Sequence, residues 1–142
     1  TGDRDYEWVA GIVSRADANP LYQVHAFLDD FHLALAAADA VVARSGGSVA
    51  EILARGVPSL LVPYPYAVGD HQTKNACTLA DAGAALTVAN AELSAARLAE
   101  GVATLLKPDV NARMRKAALG LAIPDAAIRI ADVVELLSRR AG

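Results

Sequence analysis

A chain of 142 residues is the size of one domain and can bury roughly two-thirds of its unfolded surface. With 54% hydrophobic and 20% charged residues it is too apolar for a disordered segment. It holds no apolar run near the ~20 residues of a membrane span, so a soluble globular chain without a transmembrane segment is expected. The net charge is only −3 and the basic residues are scattered, which excludes the basic stripe of a nucleic-acid binder. The single cysteine, Cys77, cannot close an internal disulfide, and no charged-then-apolar leader precedes the body of the chain, so a reducing, cytoplasmic setting fits. Thr1 is not an initiator methionine, and the first segment reads as if it follows a strand; a piece of a longer protein is expected.

Taken in chain order, residues 6–16 have helical composition, and residues 22–26 form a short run of the kind that makes a buried strand. Residues 31–38 read as a helix, 40–43 as a strand, 48–55 as a helix, 59–62 as a strand, 71–82 as a helix and 85–88 as a strand. Strand and helix alternate with short connections, which favours a parallel sheet covered by helices. The expected fold over residues 1–90 is therefore α/β, a Rossmann-like parallel sheet with helices on both faces.

From residue 91 onward the pattern changes to a helical tail, with helices at 93–106, 109–122 and 125–140. Ser94, Asp109 and Asp125 are the expected N-caps, and Pro108 and Pro124 disfavour helix before them. Leu98, Val102 and Leu105 share a face, as do Ile128, Val133 or Ala131, and Leu136; both stripes read as core contacts. Cys77, between Ala76 and Leu79 on a helix, reads as a buried small hydrophobe. The whole chain is taken as one partial domain.

The most informative stretch is Ala40-Val41-Val42-Ala43-Arg44-Ser45-Gly46-Gly47-Ser48-Val49-Ala50-Glu51, a strand running into a glycine turn and then a helix. Ligands of open α/β sheets bind at the carboxyl ends of strands, and a helix start offers unpaired N–H groups to an anion. Gly46 and Gly47 permit positive φ and let a phosphate approach the backbone. Ser48 followed by Glu51 is equally a capping-box pattern that needs no ligand. Glu51 has a second possible role, since a carboxylate can accept both hydroxyls of a ribose. Arg44 either neutralises phosphate or pairs at the surface.

A second stretch, Val57-Pro58-Ser59-Leu60-Leu61-Val62-Pro63-Tyr64-Pro65 and then Asp70-His71-Gln72-Thr73-Lys74-Asn75-Ala76, is a strand, a proline-rich turn and a polar helix start. His71, Gln72 and Asn75 bring neutral donors and acceptors within about one helical turn, as sugar hydroxyls require. The same residues with Asp70 as N-cap also make an ordinary solvated helix start. Asp29 and Asp30 are adjacent and diverge, so a cap at Asp30 is favoured over a metal site. His25, in the expected strand at 22–26, and His32 have no motif partner. No serine, histidine and acid set supports a catalytic triad.

In combination, Arg-Ser-Gly-Gly-Ser-x-x-Glu, then Gly-Val-Pro-Ser-x-Leu-x-Pro-Tyr, then Asp-His-Gln-x-x-Asn-Ala resembles the carboxyl-terminal domain of the MurG family of glycosyltransferases. Phe27-Leu28-Asp29-Asp30, Ala82-Gly83-Ala84-Ala85 and Ile123-Pro124-Asp125 fit the same pattern, so the similarity covers almost the whole chain. The turn from Arg44 to Glu51 is one residue shorter than the family's.

The resemblance implies a two-domain GT-B architecture, of which this chain supplies most of the donor-binding half without its first elements. It implies UDP-N-acetylglucosamine as donor and a lipid-linked N-acetylmuramyl-pentapeptide as acceptor, with the sugar transferred by inversion during peptidoglycan synthesis. By position, the Leu28 backbone meets the uracil edge, Gly47, Ser48, Val49 and Ala50 face the diphosphate with a register that the shorter turn can shift by one within Gly46 to Val49, and Glu51 holds the ribose; Arg44, Ser45 and Gly46 complete the substrate-binding stretch. His71 and Gln72 face the sugar, with Asn75 beside them. No catalytic residue, cofactor or metal is expected in the chain; the general base and the acceptor site belong to the absent amino-terminal domain. The implied location is cytoplasmic and peripheral on the inner face of the bacterial membrane. Alternatives are another GT-B transferase with a different lipid, polysaccharide or small-molecule acceptor, a donor-binding module inactive alone and completed by a separate membrane-anchored subunit, and a nucleotide-sugar epimerase of similar fold.

Overall fold

The computed structural model describes residues 2–15, 19 and 21–140. They belong to two compact units, Thr1–Ala34 and Leu35–Gly142.

In the first unit, helix α1 (Asp3–Arg15) places Asp3 and Asp5 in its first turn and Arg15 in its last, the arrangement its dipole favours. The expected last residue of this helix, Ala16, lies outside the described residues. Residues 22–26 are not a strand: they run as irregular chain, with Tyr22, Gln23 and His25 exposed. β-favouring residues become a strand only within a ladder, and here the Ala26 carbonyl instead accepts from the Gly2 N–H at 2.8 Å. Helix α2 (Phe31–Ala37) starts as the Asp30 carbonyl accepts from the Leu33 and Ala34 N–H groups. His32 is exposed on it.

The second unit is built on three short parallel strands, β1 (Val41–Ala43), β2 (Ser59–Leu61) and β3 (Leu86–Thr87), in the order β1-β2-β3. Val41 lies opposite Ser59, and Leu60 opposite Leu86. Parallel neighbours need crossovers, and helices α3 (Val49–Arg55) and α4 (His71–Asp81) supply them. Successive strand residues point to opposite faces, so Leu60 and Leu61 nucleate separate cores. Leu61 packs with Ala76, Leu79, Ala84, Ala85 and Ala118, while Leu60 packs with Val88, Leu105 and Met114. The fold is α/β with helices on both faces of a parallel sheet, as expected.

Helices α5 (Ala95–Leu105) and α6 (Pro108–Leu121) belong to these layers. On α5, Leu105 is buried, and Gly101 lies so close to the sheet that a Cβ there would be 2.7 Å from Leu60 Cδ2. Ser94 caps α5 by accepting from the Arg97 N–H. The cap of α6 is Lys107, not Asp109: Pro108 has the fixed φ suited to a first helical position, which moves Asp109 inside the helix, where it pairs with Arg113 at 3.2 Å. Asp125 precedes helix α7 (Ala126–Arg140), accepting the Arg129 N–H on its carbonyl and the Arg129 Nε on its carboxylate.

Three expected burials are not found. On α5 the stripe is buried only toward its end, where Leu105 reaches the core, and Leu98 is exposed. Cys77 is exposed, because the buried face of α4 runs through Ala76 and Leu79 and the next residue after Ala76 is turned about 100° away from it. The α7 stripe is also exposed, with Ile128 at 65%, Val133 at 55% and Leu136 at 51%. No residue of α7 belongs to either core cluster, so its apolar stripe is left without a partner among the described residues.

Gly56 ends α3 at φ +62, and its N–H and that of Val57 close the last turn onto Leu53 and Ile52. A Cβ at Gly56 would also meet Leu119 Cγ at 2.7 Å. Gly56→Ala is expected to cost about 1–2 kcal/mol from the left-handed backbone alone, read as a lower melting temperature.

Candidate functional site

The turn after β1 stands at the carboxyl edge of the sheet, where the chain must pass from strand to helix within a few residues. The Val49 N–H donates to the Gly46 carbonyl and the Ala50 N–H to the Gly47 carbonyl, which tightens the entry into α3. The N–H groups of Gly46, Gly47 and Ser48 make no hydrogen bond with any described residue. Three successive free amides make a concentrated patch of positive dipole suited to an anion. Neither glycine has positive φ, contrary to expectation. What their missing side chains leave is space: a Cβ on Gly47 would meet nothing within 4 Å, and one on Gly46 would meet only Gln72 Nε2 at 3.5 Å.

The capping box does not form. Ser48 occupies the N-cap position with helical φ and ψ and makes no side-chain cap bond. Glu51 is exposed, one turn into α3, and its carboxylate has no hydrogen-bond or ion-pair partner among the described residues. A cleft of about 320 Å³ opens between α3 and α4, lined by Gly46, Gly47, Val49, Ala50, Asn75 and Thr78 among others.

The helix start at residues 71–75 is tied to this turn by polar side chains. Ser45 is fully buried and its Oγ donates to the Gln72 carbonyl at 2.8 Å. Asn75 Nδ2 donates to the Ser45 carbonyl at 3.1 Å. Gln72 Oε1 accepts the Tyr64 N–H at 3.0 Å, which leaves its Nε2 turned toward Gly46. His71 is held by its own turn, Nδ1 pairing with the Val68 carbonyl at 2.8 Å. Asp70 has φ +53 and its side chain does not cap α4. Ser45, Gly46, Gln72 and Asn75 are thus brought together, with donor and acceptor atoms partly committed to the scaffold.

Arg44 is committed as well. Its Nη1 donates to the carbonyls of Val62 and Pro63, both at 3.1 Å, and to Asn90 Oδ1 at 2.8 Å. The guanidinium carbon lies 5.7 Å from the centroid of the Tyr64 ring, which stands edge to face with Tyr66. Tyr64 and Asn90 carried no role in the sequence reading. Asn90 follows β3 at the carboxyl edge of the sheet, and that placement is the signal that picks it out. Leu28 belongs to the first unit, partly exposed, and its backbone N–H and C=O make no hydrogen bond among the described residues.

Residues 1–130 match the glycosyltransferase family 28 C-terminal domain. The chain belongs to that family. Among curated proteins, this family 28 domain is 46% identical over 118 residues to the UDP-N-acetylglucosamine–N-acetylmuramyl-(pentapeptide) pyrophosphoryl-undecaprenol N-acetylglucosamine transferase of Gloeobacter violaceus, covering 82% of the chain and 33% of that protein. It is 45% identical over 129 residues to the protein of the same name from Sorangium cellulosum, covering 89% of the chain and 30% of the relative. The chain therefore spans about a third of the length of the curated relatives it matches. Among solved structures, Acinetobacter baumannii MurG aligns with a TM-score of 0.81 at 32% identity, over 94% of this chain and 41% of that one. The glycosyltransferase VinC, solved in complex with dTDP, aligns with a TM-score of 0.65 at 26% identity, over 79% of this chain and 26% of that one. The sheet and its helices match the carboxyl-terminal domain of a GT-B glycosyltransferase.

Proposed function

We propose that this chain is the donor-binding part of an inverting N-acetylglucosaminyltransferase. Its donor would be UDP-N-acetylglucosamine, and its acceptor a lipid-linked N-acetylmuramyl-pentapeptide used in peptidoglycan synthesis. The observation that carries the reading is the run of three free N–H groups at Gly46, Gly47 and Ser48, with the unpartnered Glu51 carboxylate one helical turn further on. Diphosphate and ribose need those two kinds of group side by side. The names of the curated relatives supply the sugar and the acceptor.

In this reading the acceptor hydroxyl displaces UDP from the anomeric carbon in one step, so configuration inverts. Negative charge grows on the departing diphosphate, and amides already aimed at it need no reorganisation as it forms. Because the Val49 and Ala50 N–H groups are bonded within the turn, the donors are those of Gly46, Gly47 and Ser48, while Val49 and Ala50 wall the cleft. Glu51 meets the ribose hydroxyls, and His71, Gln72 and Asn75 the sugar. The base that takes the hydroxyl proton comes from the part of the relatives that this chain does not span. No helix among the described residues is long and apolar enough to cross a membrane. A peripheral position on the inner membrane face follows from the lipid-linked acceptor.

The likeness to the glycosyltransferase VinC, solved with dTDP, favours one alternative, a transferase of the same fold that takes a different nucleotide sugar. The test is turnover by the complete protein with UDP-N-acetylglucosamine and the lipid-linked muramyl-pentapeptide. The expected product is the lipid-linked disaccharide, and the 142-residue chain alone is expected to give none. Release of free sugar or its epimer without an acceptor would overturn the reading in favour of an epimerase.

A further inference from the structure

One peptide group joins the two parts of the site. The Pro63 carbonyl and the Tyr64 N–H belong to the same trans peptide, so they point in opposite directions. Arg44 Nη1 grips the carbonyl end at 3.1 Å and Gln72 Oε1 holds the N–H end at 3.0 Å. The N–H can bond only the oxygen of the Gln72 carboxamide, and this fixes which way the amide faces: Nε2, a donor, is turned to the site. A guanidinium on a carbonyl makes the N–H of the same peptide a stronger donor, and that bond in turn polarises the next amide along the chain.

We propose that Arg44 is a positioning residue for sugar recognition, acting through the Pro63–Tyr64 peptide to fix and polarise Gln72 as a donor to a sugar hydroxyl. This rests on the reading that Gln72 faces the sugar. Arg44 reaches the peptide from the Val62 and Asn90 side, braced by the bond to Asn90 Oδ1 and by the Tyr64 ring. All three of its bonds come from Nη1, which has two hydrogens to share among three oxygens.

The test is a double-mutant cycle in the complete protein, measuring affinity for UDP, UDP-N-acetylglucosamine and its 4-epimer UDP-N-acetylgalactosamine by calorimetry. Arg44→Ala is expected to reduce the preference for the gluco sugar by about threefold to tenfold with UDP affinity unchanged. Added to Gln72→Ala it should reduce the preference no further, because the two residues act in series. Asn90→Ala, which removes one exposed brace, should lower the preference in the same direction and by less; it takes the place of Arg44→Ala should that variant fail to fold. If UDP affinity falls as much as UDP-sugar affinity, Arg44 is a phosphate partner and the relay is wrong. If Gln72→Ala erodes the preference while Arg44→Ala and Asn90→Ala do not, the relay alone fails. If Gln72→Ala itself leaves the preference intact, both the relay and the sugar-facing reading fail.

Discussion

Glu51→Gln in the complete protein is expected to lower affinity for UDP-N-acetylglucosamine tenfold or more (about 10-fold for each 1.4 kcal/mol) and to leave the melting temperature where it was. The two halves of this expectation have separate physical causes. The Glu51 side chain is exposed and bonded to no described residue, so replacing a carboxylate with an amide of the same shape removes nothing that holds the fold together. Surface changes away from caps, ion pairs and cores cost little. A ribose presents two hydroxyls that both need an acceptor, which a carboxylate can satisfy with its two oxygens. Glutamine has one acceptor oxygen and turns an amino group on the second hydroxyl. Charge-assisted bonds contribute about 1.5–3 kcal/mol each, so losing one is enough for the tenfold. Calorimetric titration and thermal melting on the same preparation decide it. A lower melting temperature with unchanged affinity would make Glu51 structural and remove the ribose assignment.

The parts of the fold that were legible in the sequence are those set by local pattern. Runs such as Val41-Val42-Ala43 and Ser59-Leu60-Leu61, each closed by a turn, form strands, of which the second is fully buried and the first only in part, and the intervening helices follow from the need for crossovers. The errors fall where a partner decides the outcome. Residues 22–26 have the composition of a strand but no ladder, and Ile128, Val133 and Leu136 have the spacing of a core stripe but join neither core cluster. Periodicity measures what a segment would bury and says nothing of whether a partner is present.

The site divides in the same way. The glycine turn and the polar helix start were legible, because each is a local pattern, while Tyr64 and Asn90, which hold Gln72 and Arg44, were not. The bonding was not legible either. The Ser48 and Glu51 spacing suggested a capping box, yet the chain enters α3 through carbonyl contacts of Gly46 and Gly47 that leave both side chains out of the cap. The link between Ser45 and Gln72 spans 27 residues and that between Arg44 and Asn90 spans 46, separations at which no spacing rule operates. Only the tertiary arrangement assigns Gln72 Oε1 to Tyr64 and thereby gives its amide a direction.

That direction makes Gln72→Glu the most severe change expected in the site. Glutamate has nearly the shape of glutamine and keeps an oxygen to accept the Tyr64 N–H, so the turn at Pro63 and Tyr64 should stay in place and the protein should fold normally. The atom near Gly46 then changes from an amide nitrogen to a carboxylate oxygen. Two penalties follow for a UDP-sugar in the proposed pose. The donor to the sugar hydroxyl is lost, and a negative charge is placed beside the turn that would hold the diphosphate. At an effective dielectric of about 20, like charges roughly 5 Å apart repel by about 3 kcal/mol, so the charge alone outweighs the lost neutral bond. Donor affinity should fall by about 100-fold or more, and UDP affinity should fall with it, since the repulsion acts on the phosphates. Gln72→Ala separates the two penalties: it removes the donor without adding charge, so it should weaken sugar preference while UDP binds almost as before. Raising the salt concentration should recover part of the loss in Gln72→Glu and none in Gln72→Ala, because screening acts on the charge and not on the missing donor. Equal and small losses in both variants, independent of salt, would place the diphosphate away from the Gly46 turn and sink the assignment of that turn as its binding site.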